Sequence, residues 1–411
     1  MFQRILFKQT LSRSKKRCWL TQINQISNDS IKPESSDDKV SDINEKDPSD
    51  YPYNTQKVSQ LLKEAAVFKD IKNNDWMTTP YPKDISIHQE KKEYDTNPSD
   101  TSVLLFPGQG TIKVGLIKKY IDFPDAKELF NIANEIVNYD LLKLCLNGPQ
   151  EKLNRTEFNQ AATVVSSLAA LEKLKADTPR VFETCVATAG YSVGEITALI
   201  LSGAITFEDG IRLVWTRGKA MQKAADKVPQ GMLSVSHTPQ SQVSKACEEA
   251  KKWAIDLGVE NPVCRVAIYL HTEKKILAGN LEALEYIEKH QTQFGLTNVT
   301  KLPVSGAFHT ELMEPALKPV NELLRTIEIS EPRCKVYSNY KAEPYNSLRL
   351  MKKYISKQIV SPVKWEQCLQ KLYNRADGTP FPQTYDVGSQ GRMKVILKLV
   401  NAKACKWCTV I

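Results

Sequence analysis

Long apolar runs are missing from this chain. None approaches the ~18–20 residues that a membrane-crossing helix needs, and the richest stretch is Ile196–Ile205. No membrane span is expected, and the composition, 41% hydrophobic and 25% charged, is that of an ordinary globular body. The nine cysteines are scattered and odd in number, which excludes a disulfide framework and points to a reducing compartment. Cys405 and Cys408 form a lone C-x-x-C with no second pair, so no metal site is expected. Histidine is scarce, five in 411 residues, which leaves few candidates for a general base. Acidic residues are absent from residues 1–28, while Arg4, Lys8, Arg13, Lys15, Lys16 and Arg17 are all there. That segment holds +6 of the net charge of +9, so the remainder is too nearly neutral to advertise a nucleic-acid partner.

The same segment interleaves Phe2, Ile5, Leu6, Phe7, Leu11, Trp19 and Leu20 with its charges. Basic, acid-free and amphipathic, 1–28 reads as a mitochondrial transit peptide, with a basic nucleic-acid arm as the alternative. Residues 29–56 turn to Asp, Glu, Ser, Lys and Pro and read as a disordered linker. Residues 57–100 form an N-terminal arm, helical in pattern over Lys57–Asp70 and with Pro-Tyr-Pro at 80–82. The terminal Cys408-Thr-Val-Ile411 has the form of a prenylation signal, which conflicts with import into an organelle.

What is present is one stretch around which the rest is arranged. Thr184–Ala189 is short and apolar, Gly190-Tyr-Ser-Val-Gly-Glu195 is a tight turn, and Ile196–Gly203 is apolar enough for a buried helix. In such a strand–turn–helix the glycines allow the bend, and Ser192 stands at the apex facing the helix's free N–H groups. The spacing alone also fits a plain glycine-rich turn. Upstream, Thr101–Phe106 reads as a buried strand ending in Pro107-Gly-Gln109-Gly110, where Gln109 can offer an amide beside a ligand or simply make a turn. Helices are expected at about 125–138, 158–175 and 207–222. Arg217, on the last of these, reads by itself as a solvated or ion-paired surface residue.

From 231 to 302 the rhythm is β-α-β-β-α-β, a ferredoxin-like subdomain inserted into a larger α/β domain made of 101–230 and 303–411. Its expected pieces are strands at Met232–Val235, Val263–Leu270, Lys275–Ala278 and Val299–Val304, with helices at Gln240–Ile255 and Leu281–Phe294. An apolar helix is expected from Leu312. His88, His237, His271 and His290 lie in the arm or among charged and loop residues. His309, in Gly306-Ala-Phe-His-Thr310, follows a strand in a small apolar setting, 117 residues after Ser192. A Ser then His order fits a nucleophile and its base, with a satisfied structural histidine as the alternative. Near the end, Tyr385–Arg392 reads as a strand and glycine turn leading into a last helix.

Five motifs in this order and spacing resemble the malonyl-CoA:acyl-carrier-protein transacylase family, and the basic N-terminus resembles its mitochondrial members. They are Leu105-Phe-Pro-Gly-Gln-Gly110, Gly190-Tyr-Ser-Val-Gly-Glu195, Thr216-Arg-Gly-Lys219, Gly306-Ala-Phe-His-Thr310 and Gln358-Ile-Val-Ser-Pro-Val-Lys-Trp365, within a resemblance spanning about 100–400. The resemblance implies a hydrolase-like domain with a mainly parallel sheet. It implies a ping-pong reaction in which Ser192 attacks the malonyl thioester, His309 is base and then acid, and Arg217 holds the malonyl carboxylate. It places the Gln109 side-chain amide and the Val193 N–H in the oxyanion hole and the Gln358 backbone carbonyl on His309. Gln160 falls near the pocket, and Phe308 marks malonyl over methylmalonyl. Malonyl-CoA and the phosphopantetheine arm of acyl-carrier protein are then the substrates, with no bound cofactor, in a monomer of the mitochondrial matrix supplying fatty acid synthesis. Tyr191 departs from a commoner histidine, Ala161 from proline and Leu270 from asparagine. Two rivals remain: a serine hydrolase, which would want an Asp or Glu partner for His309, and a binding protein with relic motifs.

Overall fold

The computed structural model describes residues 97–411. The expected transit peptide, the linker and all but the end of the arm, with His88, lie outside the described residues.

The sequence Ser-Val-Leu-Leu-Phe is buried at every position as β1 (Ser102–Phe106), because it lies inside a parallel sheet covered on both faces. Beyond it the chain climbs through α1 (Ala126–Val137), α2 (Leu141–Asn147), α3 (Gln150–Asn154) and α4 (Thr156–Asp177) to β2 (Cys185–Gly190). Then come α5 (Gly194–Leu201) and α6 (Phe207–Ala225). The next group is β3 (Gln230–Ser236), α7 (Val243–Asp256), β4 (Cys264–His271), β5 (Lys274–Asn280), α8 (Leu281–His290) and β6 (Thr297–Lys301). The chain closes with α9 (Leu317–Thr326), β7 (Lys335–Ser338), β8 (Glu343–Pro344), α10 (Leu348–Gln358), α11 (Trp365–Leu372), β9 (Gln383–Asp386), α12 (Arg392–Val400), α13 (Ala402–Cys405) and β10 (Cys408–Val410).

The larger sheet has the order β10-β9-β1-β2-β7-β8. Every neighbouring pair in it is parallel except β7 and β8. Parallel strands send their C-terminal ends the same way, so the loops after β1, β2 and β7 meet on one rim, where ligands bind in open α/β sheets. The four strands β3 to β6 form a second, wholly antiparallel sheet in the order β4-β5-β3-β6. Leu233, Val235, Ala246, Leu277, Leu284 and Ile287 are buried together where α7 and α8 cover it. The β-α-β-β-α-β rhythm therefore closes into the expected ferredoxin-like arrangement. Its β4 edge is tied to the loop after α10, by Tyr269 N–H to the Val363 carbonyl and Val363 N–H to the Ala267 carbonyl, both at 2.9 Å.

Two expected helices are modified. The segment after His309 begins as a 3₁₀ turn, Glu311–Ala316, and becomes α-helical only at Leu317, because Pro315 has no N–H to give an α-helical ladder. The helix expected over Leu281–Phe294 ends at His290 and finishes as a 3₁₀ turn stopped by Gly295 in the left-handed region.

Candidate active site

Gly190 and Gly194 make the turn at the end of β2 sterically possible. A Cβ on Gly190 would lie 1.9 Å from the Gly194 carbonyl, and one on Gly194 would lie 2.4 Å from the Pro107 carbonyl. The backbone passes so close that Ser192 is forced to φ +54°, a left-handed conformation rare for a residue with a Cβ. Asn339, in the loop after β7, secures it: Asn339 Oδ1 accepts from the Ser192 N–H at 2.7 Å, and Nδ2 donates to the Gly190 carbonyl at 2.8 Å.

His309 also has a left-handed backbone, φ +64°, and is buried. Its Nε2 lies 2.8 Å from Ser192 Oγ and its Nδ1 lies 2.7 Å from the Gln358 carbonyl oxygen. A carbonyl only accepts, so Nδ1 carries the hydrogen and Nε2 is the free base facing the serine hydroxyl. The Gln358 carbonyl is available because Gln358 is the last residue of α10, where carbonyls have no partner within the helix. Burial and the nearby Arg217 charge push the imidazole down to about 3, so it is neutral at physiological pH.

Arg217 is not on the surface. It is 2% exposed, on the α6 stripe that also buries Ile211, Val214 and Met221. Its Nη1 donates to Gln160 Oε1 at 2.6 Å, and its Nη2 donates to Gln358 Oε1 at 2.8 Å and to Ser192 Oγ at 3.3 Å. Gly218 lets α6 approach the start of α4, since a Cβ there would lie 2.8 Å from the Thr156 carbonyl, and this brings Gln160 onto Arg217. Burial lowers the guanidinium to about 10, against the pull of Glu195.

Ser192, His309, Arg217, Gln358 and Gln160 thus converge on one point. Phe308 is buried next to His309, against Gly306. Gln109 lies differently from the expectation of a donor on the serine. Its Nε2 donates to Thr156 Oγ1 at 3.1 Å, and no hydrogen bond joins it to Ser192 among the described residues. Thr156 continues to Ser305 and Gln222, each step at 3.1 Å, so the amide belongs to a brace across the start of α4. The Val193 N–H, at the head of α5, has no acceptor among the described residues.

Three residues of the site were not assigned from the sequence: Asn339, Tyr345 and Glu195. Glu195 is fully buried and accepts from Gln358 Nε2 at 2.7 Å, from the Asn339 N–H at 3.0 Å and from the Tyr345 hydroxyl. Glu195 stood inside the Gly190–Glu195 motif, one turn after the serine, where a charge opening an otherwise apolar helix was the available signal. Asn339 and Tyr345 follow a short strand with nothing local to mark them. Of the departures, Tyr191 packs edge-on against Trp365 at 5.6 Å between ring centroids, Ala161 is buried in α4, and Leu270 is half-buried on β4. The hydrolase alternative loses its premise, because His309 leans on a backbone carbonyl and not on an acid.

A model of the acyl transferase domain matches residues 103–380. The probable mitochondrial malonyl-CoA-acyl carrier protein transacylase of Drosophila melanogaster is 45% identical over 318 residues, 77% of this chain and 84% of that protein. The human mitochondrial malonyl-CoA-acyl carrier protein transacylase is 46% identical over 309 residues, 75% of this chain and 79% of that protein. Among solved structures, the transacylase of that name from Clostridium perfringens superposes with a TM-score of 0.65 at 29% identity, covering 76% of this chain and 93% of the other. The chain belongs to the malonyl-CoA:acyl-carrier-protein transacylase family, in its mitochondrial form.

Proposed function

We propose that this protein moves the malonyl group from malonyl-CoA to the phosphopantetheine thiol of acyl-carrier protein, through a malonyl ester on Ser192. One observation carries the reading: Ser192 Oγ lies within hydrogen-bond reach of both a neutral imidazole nitrogen and a buried guanidinium. His309 Nε2 takes the hydroxyl proton as Oγ attacks the thioester carbonyl, and returns it to the leaving CoA sulfur. The resulting imidazolium faces the carbonyl end of α10, which favours positive charge. The Val193 N–H and Gln109, its amide turned away from Thr156, receive the oxyanion. Arg217 takes the malonyl carboxylate, and acetyl would leave that buried cation without the same partner. The carrier thiol then enters the site CoA has left, and His309 works in the opposite direction.

A solved structure of a malonyl-transacylase in complex with a type II PKS acyl-carrier protein, 25% identical to this chain and with a TM-score of 0.66, supports the choice of partner. The family's mitochondrial relatives and the basic N-terminal segment support work in mitochondria, where the resemblance implies a matrix monomer supplying fatty acid synthesis. The test is the intact mass of the protein after mixing with malonyl-CoA. A malonyl adduct that Ser192→Ala abolishes and that carrier protein removes supports the reading. An adduct lost to water with no carrier present would instead make the protein a hydrolase.

A further inference from the structure

Arg217 raises a charge problem that its direct contacts leave open. It is buried, its three partners Gln160, Gln358 and Ser192 are neutral, and it makes no ion pair among the described residues. A buried cation without a counter-charge is costly. The Gln358 side chain leads to one. Its Oε1 accepts from Arg217 Nη2 at 2.8 Å, and its Nε2 donates to Glu195 Oε2 at 2.7 Å and to the Ser192 carbonyl at 2.9 Å. A guanidinium can only donate and a carboxylate can only accept, so the direction of this amide is fixed from both ends. Glu195 is therefore one amide away from Arg217, ringed by three donors, and shielded from water. The arrangement keeps the charges close while leaving two of the five guanidinium N–H groups without an acceptor among the described residues.

A substrate carboxylate on Arg217 would place two carboxylates around a single buried guanidinium. We propose that Glu195 is the counter-charge of Arg217 in the empty site, and that it takes up one proton from solvent when the malonyl carboxylate arrives, so that the pocket holds one carboxylate anion at a time. This rests on the malonyl-transfer reading above. The proton has a place to go: a hydrogen on Glu195 Oε1 points at the Tyr345 oxygen. Tyr345 then turns its own hydrogen toward Ser338, whose buried hydroxyl has no other partner among the described residues.

The energetics agree with the geometry. Burial pushes the Glu195 carboxyl up to about 7, against the pull of Tyr345, Asn339, Gln358 and Arg217. The other titratable groups facing it stay fixed near neutrality. Burial holds Tyr345 and Cys368 well above their usual ranges, and His309, beyond Arg217, lies near 3. An acetyl group brings no charge and calls for no proton. Malonyl binding is thus expected to weaken toward tenfold per pH unit above about 7.5, by linkage, while acetyl binding does not.

The experiment is titration calorimetry on the full-length Ser192→Ala protein at about pH 8, in two buffers of different ionisation enthalpy. Close to one proton should be taken up per malonyl-CoA and close to none per acetyl-CoA, which carries the same phosphates. Adding Glu195→Gln should abolish the uptake. No uptake with malonyl-CoA, or uptake undiminished by Glu195→Gln, overturns the proposal. If that variant does not fold, Tyr345→Phe removes a donor and should move the uptake window to higher pH; an unmoved window also overturns it. Intact mass of the wild-type protein separates the two readings. A malonyl adduct without proton uptake sinks the counter-charge alone, whereas no adduct sinks the transfer reading and the counter-charge with it.

Discussion

Asn339 holds Ser192 from behind, accepting its N–H at 2.7 Å while donating to the carbonyl of Gly190 on the other side of the turn at 2.8 Å. Asn339 and the Gly190 carbonyl are buried, and the serine's left-handed backbone needs the support. Asn339→Ala leaves a part-buried N–H and a buried carbonyl unpaired, a loss of about 2–4 kcal/mol in unfolding free energy. Because the turn carries the nucleophile, kcat should fall with KM for malonyl-CoA nearly unchanged. Denaturant melts and steady-state kinetics on the same preparation check both.

Arg217→Lys tests whether a guanidinium, and not merely a positive charge, is required. Lysine cannot reach Gln160, Gln358 and a carboxylate together, since it offers a point charge in place of a planar fork. The ratio of kcat/KM for malonyl-CoA to that for acetyl-CoA is expected to drop by about 100-fold, the scale of a lost buried charge-assisted pair. An unchanged ratio would remove Arg217 from substrate selection.

Much of this site was legible because its parts are local. The strand, glycine turn and apolar helix around Ser192 are contiguous, and the turn chemistry declares itself in residue type. The ferredoxin-like insert showed in its alternating periods. Arg217 was harder. By itself a charged residue in an amphipathic helix reads as solvated, although its register with Ile211, Val214 and Met221 placed it on the buried stripe. Gln109, between glycines, reads as an amide donor beside a ligand or as part of a turn, and only the family resemblance implies the oxyanion hole. The partner that holds its amide, Thr156, lies 47 residues away and is brought near only by packing. Asn339 and Tyr345 are of the same kind, polar residues whose partners near Glu195 lie about 150 residues earlier.

The two glycines of the turn should tolerate nothing larger. In Gly190→Ala and Gly194→Ala the new methyl meets backbone atoms at 1.9 Å and 2.4 Å, and backbone cannot move aside as a flexible side chain can. Each change should cost at least about 3 kcal/mol or prevent folding. Gly231→Ala is the control: its methyl would meet only Leu284 Cδ1, at an ordinary 3.6 Å, and the melting temperature should barely change.

Gln358 has separable duties. Its backbone carbonyl aligns His309, while its side chain joins Arg217, Glu195 and the Ser192 carbonyl. Gln358→Ala retains the first and removes the second. Malonyl transfer should fall by about 30–100-fold, matching one or two buried hydrogen bonds to charged groups, with a smaller effect on acetyl transfer. Equal losses on both substrates would place the damage at His309 instead of at the carboxylate clamp.

His309 makes the acid side of the pH profile informative. An ordinary histidine would protonate near 6.5 and stop accepting the serine proton, so acylation would fall about tenfold per pH unit below that value. Burial and Arg217 hold this one near 3 in the empty site, and burial, the larger cause, persists when a malonyl carboxylate pairs with Arg217. The single-turnover rate of Ser192 acylation at saturating malonyl-CoA should therefore show no histidine limb between pH 5 and 8. The same shift appears in stability. Between about 3 and 6.5 the unfolded chain binds a proton at this residue that the folded chain refuses. Stability from this source is therefore complete above 6.5 and drains away as pH falls toward 3, by up to about 4–5 kcal/mol. His309→Asn tolerates the left-handed backbone and cannot protonate. Its unfolding free energy should therefore decline less than that of the wild type between pH 6.5 and 4, keeping only the decline from the carboxylates, which titrate in both proteins. Parallel decline of the two curves, or a histidine limb in the acylation rate, would mean that the imidazole is wetter than its packing against Ser192 and Gln358 implies.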